Sequence, residues 1–213
     1  SFLGHPSPQV PRKYEKSLSK GINFIRSKVQ SDGGIYGKGL ASYNTSICMM
    51  ALMQARNSED DSIVQNARKF LINQQSDFDR KGETDNVFDG GVGYGSRWAH
   101  SDLSNTHLAM EALFYAKKTY KNTEQEIIDL DWDAAISFVS KCQNLPSTNN
   151  EKWVSEHPED RGGFVYFPGS SMAGEIENSN GSIALRSYGS MSYAGLLSFI
   201  YAEMDSKDPR VVA

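Results

Sequence analysis

The sequence lacks any apolar run approaching the roughly 18 residues that a membrane-spanning helix requires, so no transmembrane segment is expected. It also lacks an excess of basic charge. With 22 Lys and Arg against 26 Asp and Glu, the formal net charge is -4, which leaves no electrostatic footprint for nucleic acid. Cysteine is scarce: Cys48 and Cys142 lie far apart, each within an apolar helical pattern, and two buried free thiols are the expectation. Period-2 alternation long enough for a sheet is missing, which points to an all-α chain. Proline is sparse and uneven. Pro6, Pro8 and Pro11 crowd the first segment, so 1-13 reads as an extended arm and 14-213 as a single repeat domain. Because the chain opens at Ser1 and not Met, two readings stand: a removed signal peptide, with export to the periplasm or outside, or a trimmed chain.

What the sequence does contain is repetition. Asp89 to Leu113 joins a glycine pair (Gly90-Gly91), an aromatic (Tyr94), a polar turn ending at Thr106, and an apolar helix through Leu108, Ala109, Ala112 and Leu113. The same order appears in Gly33-Gly34 with Tyr36, before Thr45, and in Gly162-Gly163 with Tyr166, before Tyr188. Apolar residues at helical spacing predict helices over 14-29, 45-55, 63-75, 106-120, 129-143 and 188-204. Pro209 opens a seventh, which reads as cut off at its start. The helices preceding the glycine pairs share a second signature: Phe70-Leu71 with Gln75, and Phe138-Val139 with Gln143. Phe24-Ile25 is the first copy, with Gln30 one place late. A repeated hairpin cannot bury its apolar face alone, so neighbours must stack on it. Loops that lengthen from copy to copy favour a ring over a uniform solenoid.

An aromatic-aliphatic pair, a glutamine, then Gly-Gly and an aromatic resembles the repeat of squalene and hopene cyclases and of the protein prenyltransferase β subunits. Lys20-Gly21-Ile22-Asn23-Phe24-Ile25 keeps the basic-glycine opening of that repeat, and tyrosines stand where the family usually has tryptophan. The resemblance covers about Lys20 to Ala202. It implies an α/α toroid of helical hairpins round a central cavity, here three hairpins and the start of a fourth. In the family's cyclases an aspartate of the D-x-D-D-T pattern protonates the substrate. The matching stretch is Asp102-Leu103-Ser104-Asn105-Thr106, in which only the first aspartate and the threonine survive. The prenyltransferases bind zinc through Asp, Cys and His; His100, His107, Cys48 and Cys142 show no such spacing, so no metal and no cofactor are expected.

Three groups of side chains remain as candidates. Asp102, His107 and Glu111 are the catalytic ones, with His107 and Glu111 four apart on one helix face as an acid/base pair or an ordinary surface pair. Tyr94, Trp98 and His100, with Arg97, form an aromatic wall for a ligand or packing over helix ends. Trp153 and Tyr166 lie in a long irregular segment that reads as a binding loop or as decoration. The acidic cluster Asp129-Asp131-Asp133 reads as a helix cap. Two functions compete: a repeat protein without the cyclase acid and the zinc set, holding an apolar small molecule or a protein partner in or over the cavity, and an α/α-toroid enzyme such as a polysaccharide lyase or glycoside hydrolase.

Overall fold

A computed structural model describes residues 12-95, 100-120 and 128-213. It is mostly helical: α1 (Arg12–Arg26), α2 (Ala41–Ala55), α3 (Asp61–Ile72), α4 (Leu103–Thr119), α5 (Trp132–Lys141), α6 (Gly189–Tyr201) and the short α7 (Pro209–Val212), with a 3-10 turn at Ser58–Asp60. The expected arm at 1-13 lies outside the described residues except for Arg12 and Lys13, which already belong to α1. Among the described residues one small sheet interrupts the helices. β1 (Glu175–Glu177) pairs antiparallel with β2 (Ile183–Leu185), Ile176 opposite Ala184. Three-residue strands are too short to leave an alternating pattern in the sequence.

The even-numbered helices stand in a row, α4 packing on both α2 and α6. α1 packs on α2, α3 on α2 and α4, and α5 on α6. The core runs along this contact: Met49 and Leu52 of α2, Leu71 of α3, Met110 and Leu113 of α4, Phe138 of α5 and Phe199 of α6 are all buried. α4 presents small residues there, Ala109, Ala112 and Ala116, each with no exposed surface. Small side chains let the helices approach closely while the larger ones interdigitate.

Each glycine-pair loop is built alike. A single bridge closes it, Val29 to Ile35, Gln75 to Val92 and Gln143 to Phe164. The next even-numbered helix then offers a hydroxyl to the loop: Ile35 N donates to Thr45 Oγ1 at 2.9 Å, Val92 N to Thr106 Oγ1 at 2.8 Å, and Phe164 N to Ser192 Oγ at 3.1 Å. The first glycine of each pair has positive φ, +90° at Gly33, +82° at Gly90 and +75° at Gly162. The first two rest against the backbone of the following odd-numbered helix, at Asn66 and Ala134, and Gly162 against Ala213, just past the end of α7. No other residue combines that φ with so close an approach.

The glutamines fix the same joint. Gln75 Nε2 donates to Gly90 O (3.0 Å) and Asp131 O (2.8 Å), while its Oε1 accepts from Asp131 N (2.9 Å). Gln143 Nε2 donates to Gly162 O (3.0 Å) and Arg210 O (2.9 Å). Gln30 is indeed one place late. Its backbone N donates to Gly34 O as Ser76 N does to Gly91 O and Asn144 N to Gly163 O, all at 2.8 Å. Its amide therefore turns inward, to Lys28 O and Tyr36 O, and holds no following helix.

Candidate functional site

Asp102 caps α4. Its Oδ1 accepts from Asn105 N at 2.9 Å and its Oδ2 from Asn105 Nδ2 at 2.7 Å, and the residue is fully buried. A short carboxylate side chain that accepts a first-turn N–H is a standard helix cap. A helix start favours the ionised form of this carboxylate, but burial pushes its pKa above the ordinary carboxylate range, and the hydrogen bonds from Asn105 only partly offset that. The carboxylate's negative charge is felt nearby. Burial raises the Cys142 thiol and the Tyr188 phenol, and Asp102 raises both further. Cys48 and Cys142 are both free thiols, as expected, but only Cys142 is buried; Cys48 is partly exposed.

His107 and Glu111 do share one face of α4, but they are not a hydrogen-bonded pair. Nε2 lies 4.0 Å from Glu111 Oε2. Burial depresses the His107 pKa to about 4, so the imidazole is neutral near pH 7 and the contact is no ion pair there. Glu111 instead accepts a hydrogen bond from Tyr201 Oη of α6 at 2.9 Å. The Tyr201 ring stacks on His107 with centroids 5.8 Å apart, and Phe114 and Tyr115 close round it at 5.3 and 6.0 Å. Burial, reinforced by Glu111, raises the Tyr201 phenol pKa. Tyr201 lies within the apolar pattern of α6 and was not among the candidate residues. The repeat carries its signal: counted from the loop-capping hydroxyls of Thr106 and Ser192, Tyr115 and Tyr201 occupy the same position.

The second group is divided. Tyr94 Oη and Tyr166 Oη lie 3.2 Å apart, and the His100 ring sits 4.8 Å from Phe167, which also meets Phe88 and Tyr166. These rings cover the N-terminal end of α4, where Leu103 N donates to Tyr166 O. Arg97 and Trp98 lie outside the described residues. Tyr36 does not match Tyr94 and Tyr166. It follows its bridge residue directly, as Gly93 and Val165 do, and its hydroxyl donates to Asp32 while its ring lies against Phe70.

Trp153 stands apart from both clusters, its Nε1 3.4 Å from Lys141 O at the end of α5. Its segment is stitched down by buried polar side chains. Asn144 bonds Leu185 O, Ser187 Oγ and Ser155 N; Asp160 accepts from Ser155 Oγ and Ser187 N; Asn178 holds Val154 O and Glu156 N. A segment whose buried polar groups are paired this fully is part of the framework. The acidic cluster also reads structurally: Asp131 caps α5 through Ala134 N at 2.9 Å, and Asp129 accepts from Trp132 Nε1 at 3.1 Å. Among the described residues no group of three His, Cys, Asp or Glu side chains could hold a metal ion, and no helix is long and apolar enough to cross a membrane. Comparison of the chain with family models, curated proteins and solved structures finds no match to any of them.

Proposed function

We propose that this chain is a repeat protein of the prenyltransferase and squalene cyclase type, an α/α toroid without the cyclase acid or the zinc set, which holds an apolar small molecule against the aromatic wall of α4 and α6. The repeated loop, with its bridge, capping hydroxyl and seated glycine, supports the repeat reading. One observation carries the functional half. Both oxygens of Asp102 are taken up by Asn105 inside the first turn of α4. An acid so engaged is a cap, and it has no free geometry from which to protonate an alkene. Phe114, Tyr115 and Tyr201 meanwhile form a cluster of three rings in mutual contact, with Phe114 and Tyr115 only partly buried. Large aromatic surface left partly open is what an apolar ligand would cover.

The test is binding of farnesol and squalene in detergent, read by thermal shift and by displacement of a fluorescent apolar probe. Saturable binding that Phe114→Ala weakens is the expected outcome; no saturable binding of either ligand refutes the reading. Product analysis runs alongside it: polycyclic product from squalene that disappears in Asp102→Asn would return Asp102 to the role of a catalytic acid.

A second reading, the α/α-toroid lyase or hydrolase, draws on the Tyr201–Glu111 hydrogen bond beside His107, since such enzymes use tyrosine, histidine and carboxylate together. Against it, burial and then the neighbouring carboxylate raise the phenol pKa, which opposes a tyrosinate base near neutral pH.

A further inference from the structure

Thr45 of α2, Thr106 of α4 and Ser192 of α6 offer their hydroxyls to the glycine loops and so mark one level of the repeat. Seven places on from them stand Leu52, Leu113 and Phe199, all buried in the core. The opposite face of the same helices carries the places two, five and nine on. Five places on are Met50, Glu111 and Leu197, each partly exposed. Ile47 and Leu108 lie one turn before them, and Tyr115 and Tyr201 one turn after. Glu111 is the one charged residue at these places.

Its charge is not matched from within the protein. Oε1 accepts from Tyr201 Oη at 2.9 Å, whereas Oε2 accepts no hydrogen bond among the described residues. Among those residues the one Lys, Arg or His nitrogen within 4.0 Å is His107 Nε2, and that ring is neutral near pH 7. Lys118, two turns further along α4, is committed to Glu203 at 3.2 Å. Lys118 Nζ also lies 4.2 Å from the centroid of the Phe114 ring, so this aromatic wall already seats one cation on a ring face. The Glu111 side chain is only 20% exposed, and in such surroundings a carboxylate gains most from a partner that brings both positive charge and N–H donors. A metal ion would need three or more ligands, and no such group exists among the described residues.

We infer that the apolar molecule held on this face carries an ammonium group, which pairs with Glu111 Oε2 and lies against the Tyr115 ring. One carboxylate with an aromatic side chain four places on, hence beside it on the helix, supplies the two contacts by which an organic cation is recognised. The hydrocarbon part would run from there over Leu108, Met50 and Leu197, where nothing polar has to be left unpaired. Glu111 is then a specificity-determining residue, with Tyr201 as the positioning residue that fixes its other oxygen. The inference rests on the reading of this wall as the seat of an apolar ligand, and narrows that ligand to an apolar amine.

Farnesylamine and farnesol share one hydrocarbon chain and differ in the head group, so their ratio of affinities isolates the charge. Both are measured at pH 7 by displacement of a fluorescent apolar probe, in the parent chain, in Glu111→Gln and in Glu177→Gln, the last removing an exposed carboxylate on β1. The parent should bind the amine at least about tenfold more tightly than the alcohol, the size of one charge-assisted contact. Glu111→Gln should lose that preference and Glu177→Gln should keep it. Carbodiimide coupling of farnesylamine to the parent, followed by mass spectrometry of the peptides, gives a readout that does not depend on the variant folding: the amide should form at Glu111. Equal affinities in the parent overturn the inference and leave the apolar-ligand reading standing. A preference that survives in Glu111→Gln, or coupling spread over other carboxylates, also overturns it. If neither compound binds the parent, the ligand reading falls and the inference falls with it.

Discussion

Replacing Gly90 by alanine separates two physical effects that the fold combines at one atom. The residue has φ +82°, where an L side chain is strained by about 1–2 kcal/mol. A Cβ there would also lie 2.0 Å from Ala134 O and 2.2 Å from its carbonyl carbon. That neighbour is the backbone of the first turn of α5, which cannot rotate away as a side chain could. Forcing it outward is an overpacking change worth roughly 1–3 kcal/mol, so Gly90→Ala should cost about 2–5 kcal/mol in total. Gly82 is the control. It has nearly the same φ, +80°, but nothing within 4 Å of its Cβ position. Gly82→Ala should therefore cost the strain term alone. Urea unfolding of both variants and the parent, followed by circular dichroism, measures the two differences. If the two variants lose stability equally, within about 0.5 kcal/mol, the close seating of α5 on Gly90 contributes nothing and the account of the repeat joint is refuted.

Two further predictions concern the joint and the wall. Gln143→Leu keeps the side-chain volume but leaves Gly162 O and Arg210 O without their amide; it should cost about 1–3 kcal/mol, and hydrogen exchange should show the amides of α7 opening first, whereas unchanged exchange there would sink the argument. His107 has a folded pKa of about 4 against an ordinary value of 6.5, so the unfolded chain takes up its proton first; stability conferred by the neutral ring is complete above pH 6.5 and should fall by on the order of 2–3 kcal/mol as the pH drops toward 4. Urea midpoints at pH 7 and pH 5 for the parent and for His107→Gln check this: the parent should lose more than the variant, and an identical pH slope in both would refute it.

The helices were legible because their apolar residues recur with helical spacing, but the faces were less so. Leu18 sits among the regularly spaced apolar residues of α1 yet is 47% exposed, and Ile47, inside the apolar run of α2, is 40% exposed. α2 is apolar nearly all round (Ile47 to Met53), so periodicity cannot choose between Ile47 and Met49; only the neighbours decide. Its start was missed by four residues for a related reason. Leu40 precedes α2 with φ 51° and makes no side-chain cap, so no serine, threonine or aspartate marks the boundary. Asp102 could be read as a cap because it carries a cap's chemistry. The Tyr201–Glu111 bond could not, since it joins helices 90 positions apart and depends on how α6 is turned against α4.

The glycine seats bear on how such a chain can change. In all three loops the spacing from one hairpin to the next is gauged by main chain against main chain: a glycine on the backbone of the next helix or, at Ala213, of the residue just past it, locked in two of the three by a glutamine amide. Main-chain atoms are the same whatever the residue, so this gauge is blind to the sequence of the helix it meets. It is equally blind to what lies between the glutamine and the glycine. The loop closed between Val29 and Ile35 is short, and those closed by Gln75 and Val92 and by Gln143 and Phe164 are progressively longer; the small sheet follows the last of them, between Phe164 and α6. Insertions can thus accumulate on one rim while the pitch of the row stays constant. New surface can be tried there without re-tuning the framework, and two copies of the repeat can diverge in what they bear while remaining interchangeable in how they stack.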